Sequence, residues 1–70
     1  MTGTITELHA MRGTGFVEGD DGKTYLFRRH DLRDCWFHEL TVGTKVTFVP
    51  GTGMRSLDAA ELRPQRQADA

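Results

Sequence analysis

Apolar and polar residues alternate along this chain in short runs, and most of the runs end at Gly, Asp or Pro. That is the pattern of strands with one buried face. Thr4–Leu8 is rich in β-branched residues and predicts a first strand, and Gly15–Glu18 predicts a second. Asp20-Asp21-Gly22 then closes a hairpin of the kind that primed turns favour, leading into a third strand over Lys23–Arg28. In that strand, period two puts Tyr25 and Phe27 on one face and Leu26 and Arg28 on the other. Residues 29–43 predict a long irregular connection, with a single helical turn around His30–Arg33. Thr44–Val49 alternates cleanly with Val46 and Phe48 inward, and Pro50 stops it.

The last segment reads two ways. Ser56–Arg63 holds helix-favouring residues, and Asp58 with Glu61 imitates a capping box. A strand with Ala60 and Leu62 inward fits equally well, although local propensity slightly favours the helix. Residues 1–63 are expected to form the domain, and 64–70, beginning at Pro64, a flexible tail that frays.

Length and charge narrow the picture. Seventy residues make one small domain, which buries only about 60% of its unfolded surface. The single cysteine, Cys35, excludes an intramolecular disulfide and fits a reducing cytoplasm. No signal peptide or membrane span is expected, because the apolar runs are too short. Nine Lys+Arg against ten Asp+Glu leave a net charge of −1. That argues mildly against a strong nucleic-acid binder, although Arg28, Arg29 and Arg33 cluster.

Arg12-Gly13-Thr14-Gly15-Phe16-Val17 matches the basic-Gly-x-Gly-Phe-Val skeleton of the nucleic-acid-binding strand called RNP1. The glycines are read as clearing one face so that flat bases approach the backbone. Phe16 offers a π-face for stacking and Arg12 a charge for phosphate. Thr14 stands where the motif expects an aromatic.

With these residues in register, the chain resembles the bacterial cold shock domain, and the match runs without a gap from about Gly3 to Leu62. Gly3-Thr4-Ile5 is similar to the family's Gly-Lys-Val start, and Arg12–Glu18 to its Lys-Gly-(Phe/Tyr)-Gly-Phe-Ile segment. Tyr25–Arg29 falls on Val-Phe-Val-His-Phe, and Phe37, Leu40 and Gly43 on Gly-Phe-Lys-x-Leu-x-x-Gly. Val46-x-Phe48 and Ala59-Ala60-x-Leu62 resemble the last two strands. The resemblance implies an all-β protein, a five-stranded antiparallel OB-fold barrel that binds single-stranded RNA or DNA. It also resolves the last segment as a strand. The implied core is Ile5, Leu8, Val17, Tyr25, Phe27, Val46, Phe48, Ala60 and Leu62, with Leu32 and Leu40 plugging the ends.

The opposite face carries stacking aromatics in the family, and here they are thinned out. Glu7 replaces the surface Trp, Thr14 the first RNP1 aromatic, and Leu26, Arg28 and Arg29 the Phe, His and final Phe of the second motif. The implied nucleic-acid-binding residues are Arg12, Phe16, Arg28, Arg29, Phe37 and Arg55, with Thr14, Leu26, Trp36 and His38 as additional contacts. Arg28 and Arg29 also have a plainer reading, as solubilising charges or partners of Glu18, Asp31 or Asp34. Trp36 and Phe37 are adjacent, so one packs while the other is exposed; by register Phe37 is the exposed one. A second reading gives this face to a protein partner or to self-association through Phe16 and Leu26. Cys35-x-x-His38, with His30 nearby, has metal-ligand character, but a full zinc set would need His9 or carboxylates such as Asp34. No metal, cofactor or catalytic residue is therefore expected, and no enzyme.

Overall fold

β-Branched and aromatic residues at alternate positions bury one side of each strand, and five strands result. The computed structural model describes residues 1–65. β1 (Thr2–His9), β2 (Thr14–Gly19), β3 (Thr24–Arg28), β4 (Lys45–Pro50) and β5 (Ala59–Pro64) pair antiparallel in the order β3-β2-β1-β4-β5. The sheet curls into a half-barrel of the OB type. Its two ends approach where the Leu26 N–H donates to the Leu57 carbonyl at 2.8 Å and the Arg33 N–H to the Leu62 carbonyl at 2.9 Å. Short 3₁₀ turns occupy Arg29–Asp31, Phe37–Glu39 and Gly53–Arg55. The first begins one residue earlier than the sequence suggests.

Ile5, Val17, Tyr25, Phe27, Phe37, Leu40, Val46, Phe48, Ala59 and Leu62 are buried inside the curl. Leu8 and Leu32 pack against them half-buried. Tilted ring pairs tie the layers together, Tyr25 to Phe48 at 4.9 Å and Phe27 to Phe37 at 6.1 Å between centroids.

Two irregularities set which residues reach that core. Along β1 and β2, Ile5 pairs with Val17 and Glu7 with Phe16, so β1 carries one extra residue. Ile5 and Leu8 thus share the inner face although they are three apart. Along β4 and β5, Thr47 pairs with Arg63 and Val49 with Ala60, and the extra residue lies on β5. Glu61 takes it up in a left-handed conformation, φ +48°. This corrects the expected inward Ala60: Ala59 and Leu62 are buried, and Ala60 is half-exposed.

The β2–β3 hairpin corrects a second expectation. Neither Asp20 nor Asp21 has a positive φ, so the turn is not primed. The Gly22 N–H donates to the Gly19 carbonyl at 2.9 Å, and Gly22 itself is left-handed at φ +82°. This is a type I turn followed by a left-handed glycine, which also matches strand twist. Asp21 pins it by accepting the Lys23 N–H at 3.0 Å and the Tyr25 hydroxyl at 2.6 Å. At the other end, Pro64 lies within β5 and the Gln65 N–H donates to the Lys45 carbonyl at 2.8 Å. The strand therefore runs past the expected boundary at 63; the rest of the expected tail, 66–70, lies outside the described residues.

Candidate nucleic-acid interface

Cross-strand register builds the outer face as three rows. His9, Thr14 and Arg28 stand side by side across β1, β2 and β3, then Glu7, Phe16 and Leu26, then Thr4, Glu18 and Thr24. Phe16 occupies the centre, half-buried, with Leu26 half-buried beside it. On its other side the His9 ring meets it edge-on, 6.1 Å away and 89° to its plane. His9 Nε2 lies 3.2 Å from Glu7 Oε1, so the carboxylate facing Phe16 already has a neighbour. Sequence reading gave His9 no place on this face. Only the extra residue in β1 brings it into register with Thr14, and no local signal announces that residue.

Cations rim the rows unevenly. Arg12 is exposed in the turn between β1 and β2. The Arg28 guanidinium lies 4.0 Å from Asp58, while its backbone N–H donates to the Asp31 carboxylate at 3.0 Å. Among the acidic partners expected for its side chain, none is the one it takes. Arg55, on the last 3₁₀ turn, shares with Arg28 and His30 a recess of about 270 Å³ that Asp31 and Asp58 also line. Two exposed carboxylates, Glu7 and Glu18, remain within the rows. The face thus grades from arginine-rich at the Arg28 end to acidic at the Glu18 end.

The aromatic pair after β3 reverses the expected exposure. Phe37 is buried at 7% and Trp36 is exposed at 70%. Phe37 enters a 3₁₀ turn and packs on Phe27, and the Arg29 guanidinium covers it with Cζ 5.5 Å from the ring centroid. A base cannot stack where the guanidinium lies, so the expected platform at Phe37 is occupied by Arg29. Trp36 instead stands out near His38, whose ring is nearly parallel to the indole at 16° and 6.4 Å.

The glycines of the Arg12–Val17 segment also serve differently from expectation. A Cβ on Gly15 would lie 2.5 Å from the Phe27 ring and 2.8 Å from the Glu7 carbonyl, so this glycine makes room for the core. Gly13 has φ +66°, and a Cβ there would press on the Arg29 guanidinium at 3.2 Å. Its carbonyl accepts the Arg29 N–H at 2.8 Å, which fixes the cation above Phe37.

No protein-family model matches the chain. It is, however, 33% identical over 63 residues to cold shock protein 1 of Lactiplantibacillus plantarum, covering 90% of this chain and 96% of that protein. Cold shock protein 2 of the same organism is 32% identical over the same shares. The chain belongs to the cold shock protein family.

In this cold shock domain, Glu7, Thr14, Leu26 and Arg28 all lie on the outer rows, so these four departures from the family pattern leave the core untouched, while the fifth, Arg29, covers buried Phe37. The family is non-enzymatic. Cys35 is half-buried, and burial first, then Glu39 and Asp34, push its thiol above the ordinary value. That disfavours the thiolate which a nucleophile or metal ligand requires. Among the described residues, no three His, Cys, Asp or Glu side chains converge as a metal site would need. No helix there is long and apolar enough to cross a membrane.

Proposed function

We propose that this cold shock domain binds single-stranded RNA or DNA, weakly and with little sequence preference, as a cytoplasmic RNA chaperone or regulatory module. The observation that carries the reading is the placement of Phe16 at the centre of an outer face bordered by Arg12, Arg28, Arg29 and Arg55. Phe16 supplies one stacking platform, and the arginines pair with phosphates or stack by their planar guanidinium groups. Thr14 and Leu26, on either side, offer smaller contacts. Family membership supports the reading, since single-strand binding is what the cold shock fold implies. No covalent step and no cofactor is required. Weak binding suits a chaperone, which must release its strand.

The test is an amide NMR titration with a short oligo-pyrimidine strand at low and moderate salt. Shifts should concentrate at residues 13–17 and 26–29 and fade as salt rises. Amides that stay still at high oligonucleotide excess would overturn the reading and favour a protein partner for the Phe16–Leu26 surface.

A further inference from the structure

We infer that Glu7, held by His9, reads the Watson–Crick edge of the base that stacks on Phe16 and selects guanine at that one position. This rests on the single-strand reading above and adds one read position to a strand otherwise held without regard to sequence.

The register of the sheet carries it. Glu7 stands across from Phe16 on β1, and Leu26 stands across from it on β3. Directly opposed side chains have Cβ atoms about 4.5–5.5 Å apart. A base lying flat on the Phe16 ring therefore meets an apolar neighbour on one side and a carboxylate on the other. Charge decides which way it lies. Arg28 stands on β3 in the adjoining row, so phosphates are drawn to the β3 side. The Watson–Crick edge points away from the sugar and so toward Glu7. Glu18 is the other carboxylate in the rows, but it lies between Thr4 and Thr24, not across from Phe16.

The Glu7 carboxylate is free to accept. Its side chain is 57% exposed, within reach of a base. His9 Nε2 lies 3.2 Å from Oε1, and because a carboxylate only accepts, this contact requires the proton on Nε2. His9 also meets Phe16 edge-on, so it acts as a positioning residue that ties the carboxylate to the platform. Among the described residues Oε2 has no hydrogen-bond partner, and Oε1 keeps a second lone pair. Two adjacent acceptor oxygens call for two adjacent donors. Guanine alone of the common bases offers them, at N1–H and the N2 amine. Cytosine and adenine set one amine beside a bare ring nitrogen, and thymine and uracil flank one N–H with carbonyls. Each of those four turns an acceptor against the carboxylate.

The full chain is titrated by anisotropy into dye-labelled thymidine heptamers carrying guanine, hypoxanthine, adenine or thymine at the centre. The guanine heptamer should bind about 5- to 10-fold tighter than the adenine one, the lower end of what a bidentate base contact discriminates. Adenine controls for the larger stacking area of a purine. Hypoxanthine, which keeps N1–H and lacks the amine, should fall between them. Glu7→Gln should bring the guanine-to-adenine ratio close to one, and Glu18→Gln should leave it unchanged. His9→Phe, which keeps a ring beside Phe16, should lower it. A merely structural role for Glu7 would move all four affinities together and leave the ratio alone. Equal binding of the guanine and adenine heptamers, or a ratio that survives Glu7→Gln, would overturn edge reading and leave single-strand binding standing. No anisotropy rise with any heptamer would overturn both. Should Glu7→Gln fold poorly, the adenine and hypoxanthine comparisons in the unaltered chain still decide.

Discussion

Glu7 faces Phe16 across β1 and β2, and a carboxylate at that distance repels the phosphates that a stacked base would carry with it. Resemblance to the family places an aromatic at this position. Glu7→Trp should therefore add a platform beside Phe16 and remove a repulsive charge, strengthening oligonucleotide binding about 5- to 100-fold. Anisotropy titration checks this, and an unchanged dissociation constant would mean that bases do not lie on these rows. Asp21 makes a different residue-scale prediction. The Tyr25 hydroxyl, and then the Lys23 N–H, hold its carboxyl below the ordinary value. A folded-state pKa below the unfolded one contributes stability above the unfolded value, near pH 4, which is lost as pH falls through the folded value. The same hydrogen bond raises the Tyr25 phenol, so its contribution is present below about pH 10 and lost as pH rises through the raised value. Asp21→Asn should lower the unfolding midpoint at neutral pH, and its gap to the unaltered chain should narrow as pH falls through the lowered folded value. A gap of the same size at neutral and acidic pH would show that the ionised carboxylate is not its source.

Elements show where sequence reading succeeds and where physics hides the answer. β2, β3 and β4 were legible because one side of each strand is buried and alternation survives along them. β5 was legible as a strand only through the family resemblance, and its inward residues were not, because the left-handed Glu61 sets Ala59 and Leu62 three residues apart on one face. From the residues alone, helix-favouring side chains and the Asp58–Glu61 pair kept a helix open for the same segment. β1 carries the same device without a left-handed residue, and it displaced His9 from view. In the Phe37–Glu39 turn, exposure depends on which aromatic enters the turn, and adjacent residues carry no local cue for that. The glycines of β2 and its hairpin give the element-scale test. Gly15→Ala drives a Cβ against Phe27 and the β1 backbone, an overpacking that costs about 1–3 kcal/mol or more. Gly22→Ala meets open space and only the left-handed penalty, about 1–2 kcal/mol. Urea midpoints should fall further for Gly15→Ala than for Gly22→Ala. The reverse order would mean that the Phe27 ring is not seated against β2.

At the scale of the molecule, charge and aromatic count decide how tightly a strand is held. The net charge is −1, so no general basic field draws in nucleic acid, and attraction comes from arginines gathered at one end of the face. Stacking contributes roughly 1–3 kcal/mol per base, and the outer face lacks the family's aromatics at Glu7, Thr14, Leu26 and Arg28. Arg29 withdraws a further platform by covering Phe37. Guanidinium contacts return only about 0.5–1 kcal/mol each at exposed sites. Affinity should therefore fall about two or more orders of magnitude below that of an aromatic-rich member of the family. What binding remains is arginine-driven and should titrate away with salt. Three or four phosphate contacts on a single strand give a slope of about −2 to −3 in log affinity against log salt. Anisotropy at several salt concentrations measures both quantities together. Submicromolar binding near physiological salt with a shallow slope would sink the arginine-driven account, because only apolar stacking could then hold the strand. A steep slope with micromolar or weaker binding would assign the affinity to the cluster around Arg28, and Arg28→Ala should then flatten the slope by roughly 0.7.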